Sequence, residues 1–289
     1  MRKGLLLVVM MTLSAVWMPP AARALSGKVV VIVMENEAYT SIVGSSQAPY
    51  LNALIAQGEL FTNYTAVVSG SQHNYLAMTS GLTEKVSPSP SNIFQAIDAT
   101  VGAVTWKSFQ ESMTGTCGEG SVGKVPGRST QLYEKPHDPG TKYTNETCVT
   151  NDIPMTTTSF IPTALPDFSY VVPNYCDDMH TLPTGGQSCP AYFGSNPGTS
   201  VIGLGDDWLS VVVPQLLAQP DVTVILTWDE GKKSSGERIV TLEVGAGITP
   251  GSTDGTAYNH YGLLAGLYSV FGLGTPPNNA ATATPLPIP

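Results

Sequence analysis

Apolar residues run in continuous blocks along parts of this chain and at helical spacing along others. Lys28–Met34 (KVVVIVM) is an unbroken β-branched run. Runs of this kind form strands buried on both faces, as in a parallel sheet. The same pattern predicts strands over 169–173, Val222–Trp228 and 238–244. Between them, Leu51, Leu54 and Ile55 fall on one helical face within 49–57, with Pro49 near the start and Gly58 just past the end. A short helix is expected over 91–100, capped by Ser91 or Asn92. An amphipathic helix is expected over 206–219, kinked at Pro214, and an apolar one over 261–271, stopped by Gly272. Strands alternating with helices imply an α/β fold, a three-layer sandwich around a central, mostly parallel sheet.

The two ends depart from this pattern. Arg2 and Lys3 precede an apolar run from Gly4 to Trp17, Pro19 and Pro20 close it, and Ala22-Arg23-Ala24 has the small-x-small form of a cleavage site. Residues 1–24 therefore read as a secretory signal peptide. The run is short for a bilayer span and no later stretch is long enough, so a secreted or periplasmic protein without a stable membrane span is expected. Residues 25–273 read as one domain, with a loop-rich insertion at about 114–166 lying over one end of the sheet. The tail, 274–289, shows no core residues and is expected to be disordered.

Composition narrows the function classes. The chain has 289 residues, 42% hydrophobic and 12% charged, which supports a large core and excludes an intrinsically disordered protein. Loss of Arg2, Lys3 and Arg23 leaves 10 Lys and Arg against 22 Asp and Glu, a net charge of −12. Such an acidic chain is a poor partner for nucleic acid. All four cysteines follow the leader, and an even count in an exported chain favours disulfides. Pairing of neighbours, Cys117 with Cys148 and Cys176 with Cys189, is one of three connectivities. A zinc site is the rival reading, although no C-x-x-C spacing is present.

Candidate chemistry gathers just after strands, where open α/β sheets build their sites. Glu35-Asn36 follows the first strand and offers oxygen donors for a cation. Ser69-Gly70-Ser71-Gln72-His73-Asn74 opens a helical segment, which places the Ser71 hydroxyl where a helix N-terminus favours an anion. Asn174 to His180 (NYCDDMH) follows another strand and carries Asp178 and His180. Asp229-Glu230 follows the apolar strand VTVIL, and adjacent acids at a buried strand end are costly unless something positive sits there. His260 lies in Tyr258-Asn259-His260-Tyr261, just before the last helix. Only four histidines exist, at 73, 137, 180 and 260. No nucleophile elbow, Walker loop or H-E-x-x-H zinc motif occurs.

The order of the segments VIVMENEAYTSIVG, SGSQHNYLAM, VVPNYCDDMH, GDDWL, TWDEG and YNHYGLL resembles the bacterial phosphoesterase family, part of the alkaline-phosphatase-like superfamily. The resemblance runs from about Val29 to Leu273. It is greatest to short secreted acid phosphatases, including those described as phosphatidylinositol-3-phosphatases. It implies that Glu35, Asn36, Asp229 and Glu230 hold a divalent metal ion. It implies that Ser71, three residues before Asn74, is the nucleophile. Asp178, His180 and His260 would form the polar wall against the phosphate or leaving group, and His137-Asp138-Pro139 stands where the family has His-Asn-Pro. Two departures stand out. The family has Pro where this chain has His73, which leaves the turn freer or adds a fourth imidazole near the phosphate. Related branches have Asp-His-Gly where this chain has Asp229-Glu230-Gly231, which leaves the metal count open.

The expected activity is hydrolysis of a phosphate monoester, in a small molecule or a phospholipid headgroup, through a phosphoserine at Ser71, with His180 or His260 protonating the leaving oxygen. A phospholipase C or other phosphodiesterase is the alternative within enzymes. A secreted binding protein with a vestigial site is the alternative outside them.

Overall fold

The computed structural model describes residues 27–87, 89–143, 147–155, 165–189 and 200–289. The expected signal peptide lies outside these. A single eight-stranded sheet forms the centre, in spatial order β11-β2-β10-β9-β1-β8-β4-β7. Its strands are β1 (Lys28–Met34), β2 (Glu59–Phe61), β4 (Trp106–Glu111), β7 (Asp152–Met155), β8 (Phe168–Val172), β9 (Val222–Trp228), β10 (Thr241–Gly245) and β11 (Ser252–Asp254). Two small ribbons pair β3 (Tyr64–Thr65) with β12 (Tyr258–Asn259), and β5 (Met113–Thr114) with β6 (Gly120–Ser121). The run β9-β1-β8-β4-β7 is parallel, β10 is antiparallel to both its neighbours, and β2 pairs with β11 in parallel. The α/β, mostly parallel sheet read from the apolar blocks is what the chain forms.

Val30 to Met34 are all fully buried, as are Val224, Ile225 and Leu226 beside them. Successive strand residues point to opposite faces, so both faces of the sheet are covered. The cover comes from helices α1 (Tyr39–Ile42), α2 (Pro49–Ile55), α3 (Ser71–Ser80), α4 (Ile93–Asp98), α5 (Cys148–Asn151), α6 (Val201–Leu217) and α7 (His260–Val270). Two groups form, α2 with α6 and α3 with α4 and α7. The α4 cap is Asn92, whose side chain accepts from Gln95 N at 3.1 Å. Helix α6 starts earlier than its amphipathic pattern shows, because Ser200 caps it through Gly203 N at 2.9 Å. It also continues through Pro214 to Leu217.

Two expectations are corrected. The insertion does more than lie over the sheet, because within it β7 adds an edge strand beside β4. Pro154 is tolerated there because an edge strand can spare one donor. The tail is ordered. Ala280 and Leu286 are buried, Leu286 N donates to Gly262 O at 2.9 Å, and Asn278 Nδ2 donates to Ser80 O at 2.8 Å. A side chain at Gly266 would collide with Leu286 O at 2.4 Å, so this glycine makes the groove in α7 that receives the tail. Apolar content is low in the tail, and the signal for order lay in the small residues of α7. Cysteines pair as neighbours, Cys117–Cys148 and Cys176–Cys189, which removes the zinc reading. Among the described residues no helix is long and apolar enough to cross a membrane.

Candidate active site

Strands β1 and β9 run parallel with Met34 opposite Trp228, so the next residues, Glu35 and Asp229, emerge side by side. Asp229 N donates to Met34 O at 2.9 Å, and Asn36 N donates to Asp229 Oδ1 at 3.1 Å. Asn36 takes a left-handed backbone (φ 45°), which turns the chain sharply beyond the strand and which asparagine tolerates better than most residues. Its amide is best oriented with the nitrogen donating to Asp229 Oδ1 at 3.2 Å and Glu230 Oε1 at 2.9 Å, and the oxygen accepting from His180 Nε2 at 2.9 Å. Glu35 N donates to Asp178 O at 2.8 Å, which seats the end of β8 beside the end of β1.

Ser71 is the first residue of α3, preceded by Gly70 at φ 117°. Its Oγ donates to Glu35 Oε2 at 2.9 Å. Gly70 N donates to Glu230 Oε2, so the turn is held from the β9 side as well. Asn74 builds that turn from within. It is fully buried, accepts from Val67 N at 3.1 Å and Val68 N at 3.3 Å, and donates to Val68 O at 2.6 Å and Gly70 O at 3.3 Å. Asn74 thus positions Ser71 and does not itself line the cleft. One turn along the helix, Tyr75 OH donates to Glu35 Oε1 at 2.8 Å. This tyrosine escaped the sequence reading, although its i+4 spacing from Ser71 places both on one helical face.

The histidines divide into three kinds. His137 is buried, with Nδ1 3.3 Å from Glu35 Oε1 and its ring stacked on Tyr75 at 5.3 Å between centroids. His180 is exposed and reaches Asn36 through Nε2. His260 is buried, with Nε2 2.6 Å from Asp229 O and Nδ1 3.2 Å from Tyr64 OH. Both ring nitrogens of His260 are therefore engaged by the fold, and Tyr64 is a second partner the sequence reading missed. His73 does not join the site. Its Nδ1 lies 2.6 Å from Thr83 O and 3.3 Å from Glu84 Oε1, so it anchors the loop after α3.

The electrostatics follow from burial. Glu35 and Asp178 are pushed well up by desolvation, and both are raised further by Asp229. Burial is also the main cause that raises Asp229, to about 7. Asp178 Oδ1 accepts from His180 N at 2.8 Å, while its Oδ2 and Asp229 Oδ2 have no hydrogen-bond partner. Burial lowers His137 to about 3 and His260 to about 4, so both rings are neutral at ordinary pH. His180 is also lowered, first by desolvation of the part of its ring that faces the protein, against the raising effect of Glu230.

Among the described residues, no three of His, Cys, Asp and Glu stand ready as a metal cage. The donor set still fits a hard divalent cation. The carboxylates of Asp229 and Glu230 meet at the Asn36 amide, with Glu35 on the adjacent strand end. The unpartnered Asp229 Oδ2 is what a bound cation would satisfy, and Asn36 would ligate it by turning its amide oxygen, in place of the nitrogen, toward Asp229 and Glu230. The ten residues singled out in the sequence thus meet in one place, with Asn74 behind the turn and His260 behind Asp229.

A model of the Phosphoesterase family matches residues 44–274. The phosphatidylinositol-3-phosphatase of Mycobacterium tuberculosis is 28% identical over 271 residues, covering 89% of this chain and 80% of that protein. The phosphate-repressible acid phosphatase of Penicillium chrysogenum is also 28% identical, over 238 residues, 77% of this chain. This chain spans 54% of the fungal protein's length. Among solved structures, a protein of the alkaline phosphatase superfamily from Vibrio parahaemolyticus superposes with a TM-score of 0.58 at 14% identity, covering 94% of this chain and 76% of that one. A phosphonate monoester hydrolase of Agrobacterium radiobacter gives 0.51 at 11% identity, over 85% and 74% of the two chains.

Proposed function

The chain belongs to the Phosphoesterase family and is a hydrolase of phosphoric esters, and from that premise we propose that it is an exported, metal-dependent phosphomonoesterase of the acid-phosphatase kind. Its nucleophile is Ser71. The observation that carries the reading is the Ser71 hydroxyl at the first residue of α3, hydrogen-bonded to the buried Glu35 carboxylate. A helix N-terminus favours the phosphate, and the Glu35 carboxylate fixes the direction of the hydroxyl that attacks it.

In this reading Glu35, Asn36, Asp229 and Glu230 hold the cation, and Ser71 faces it. A divalent ion so bound supplies positive charge that lowers the hydroxyl pKa and balances the charge that builds on phosphorus. The chain's own groups do the rest. Ser71 Oγ attacks phosphorus, the ester bond to the alcohol breaks, and His180 gives the leaving oxygen its proton. Water then cleaves the phosphoserine and frees inorganic phosphate. His180 suits the acid role better than His260 because its ring is exposed and its partners, Asn36 and the Thr181 hydroxyl, are side chains that can yield to a substrate, whereas His260 is fully buried between the Asp229 carbonyl and Tyr64. His260 instead holds the Asp229 main chain, and His137 with Tyr75 holds Glu35. The substrate is a phosphate ester of a small molecule or a phospholipid headgroup.

The test is hydrolysis of p-nitrophenyl phosphate against bis-p-nitrophenyl phosphate, with and without chelator, from acid to alkaline pH. Preference for the monoester, abolished by chelator and restored by a divalent cation, is the expected result. Preference for the diester would move the reading to a phosphodiesterase.

A further inference from the structure

A second pair of buried acids lies outside the cleft. Asp138 and Asp152 are both fully buried. They meet across Gly140, where an added Cβ would stand 3.0 Å from Asp152 Cγ and 3.2 Å from Asp138 Oδ1, so the two carboxyls face the same small space. Tyr133 OH donates to Asp138 Oδ2 at 2.7 Å. Asp138 Oδ1 and both Asp152 oxygens have no hydrogen-bond partner, and the nearest donors are the Gly140 N–H and the Ser108 hydroxyl. Two bare carboxylates in contact inside a protein are strongly unfavourable, and a single shared proton resolves the contact.

Asp138 directly follows His137 and lies between two 3-10 turns, Lys135–His137 and Pro139–Thr141, which pack on α3. Asp152 opens β7 at the sheet edge, opposite Ser108 of β4, and its carbonyl accepts from Cys117 N at 3.2 Å. We propose that Asp138 and Asp152 share one proton and so clamp the His137 turn to the edge of the sheet, which makes the placement of His137 dependent on that proton. Both are positioning residues, and the effect on catalysis rests on the function proposed above.

The surroundings agree. Asp152 is pushed up to about 9, by burial and then by Asp138, and Asp138 is raised by burial. Ser108, Tyr133, Glu134, Lys135 and Lys142 are the polar and charged groups facing the pair. The two lysines do not neutralise it by contact, because Lys142 Nζ donates to Lys135 O and Lys135 Nζ donates to Gly118 O at 3.3 Å. The folded pair holds a proton that the unfolded chain releases near the usual Asp value. Its stabilisation is therefore complete in acid and is lost as pH rises toward about 9. One such proton changes the folding equilibrium about tenfold per pH unit within that window.

The test is the pH dependence of melting temperature and of phosphate-ester hydrolysis for the wild type, Asp152→Asn and Asp138→Asn. An amide supplies the hydrogen bond without a titrating proton. The expected result is that either variant loses less melting temperature between neutral and alkaline pH than the wild type, and that its alkaline loss of kcat is reduced with KM little changed. Two variants are used because one could fail to fold, and either suffices. Parallel melting profiles in wild type and variant would overturn the shared proton. A flattened melting profile with an unchanged alkaline loss of kcat would overturn the link to His137. If no form hydrolysed any phosphate ester, the proposed function would fall, and the melting profiles would still decide the proton.

Discussion

The two sides of the cleft are made differently. Glu35, Asn36, Asp229 and Glu230 grow directly from the ends of two adjacent parallel strands, where Glu35 N and Asp229 N are held by main-chain bonds and Asn36 N by the Asp229 carboxylate. His137 and His180 instead sit on loops, each inside a disulfide-closed segment, Cys117–Cys148 and Cys176–Cys189. The strand side needs no extra fastening because the sheet register already sets its geometry. The loop side has no sheet register to place His137 and His180, and covalent ties replace the missing sheet. On this account the strand side holds the cation beside Ser71 of α3, and the loop side supplies the leaving group's proton through His180 and braces Glu35 through His137.

Removing the nucleophile is the strongest way to break that division. Ser71→Ala should lower kcat by about four orders of magnitude or more while leaving the melting temperature within a degree or so, because only a half-buried hydroxyl is lost. Thermal melting beside a p-nitrophenyl phosphate assay checks it. His180→Gln should cost about 10² to 10⁴ in kcat, the usual worth of a general acid. A general acid must be protonated, and burial lowers His180, so its contribution is lost as pH rises through a value below 6.5. The pH–rate profile of His180→Gln should lack that alkaline limb.

Breaking a disulfide sharpens the comparison through stability. Opening Cys117–Cys148, which closes a 31-residue separation, should cost about 4 kcal/mol, and Cys176–Cys189, with a separation of 13, about 3 kcal/mol. Paired Cys→Ser variants measured by denaturant unfolding test this. The variants should retain metal binding, since all four proposed ligands lie on the strand side. The smallest effect is expected at the tail. Leu286→Ala should destabilise by about 2 kcal/mol with kcat unchanged, because Leu286 is buried in the core where the tail meets α7 at Gly262 and Gly266, away from the strand ends that carry Glu35 and Asp229. Melting temperature and kcat, measured together, check that separation.

The same contrast explains what was legible in the sequence. Lys28–Met34 and Val222–Trp228 read as strands to the residue because burial on both faces leaves an uninterrupted apolar run. Acids standing at the ends of such runs therefore announced themselves. Short β7 carries a Pro and only four residues, and tertiary pairing with β4 rather than local pattern makes it a strand. Tyr75 and Tyr64 carry no local signal, since nothing in the sequence tells a buried tyrosine that bonds Glu35 or His260 from any other buried tyrosine. The tail failed for a related reason. Its order comes from close backbone approach to Gly262 and Gly266 and from burial of Ala280 and Leu286, too few and too irregularly spaced to read as an element.

The central claim is that Ser71 becomes phosphorylated during turnover. The most direct test is to quench the protein in acid during steady-state hydrolysis of p-nitrophenyl phosphate and map the phosphoryl group by mass spectrometry of its peptides. The account predicts one phosphoryl group on Ser71, absent from Ser71→Ala. A phosphoryl group on another residue, or sustained turnover by Ser71→Ala, would contradict it.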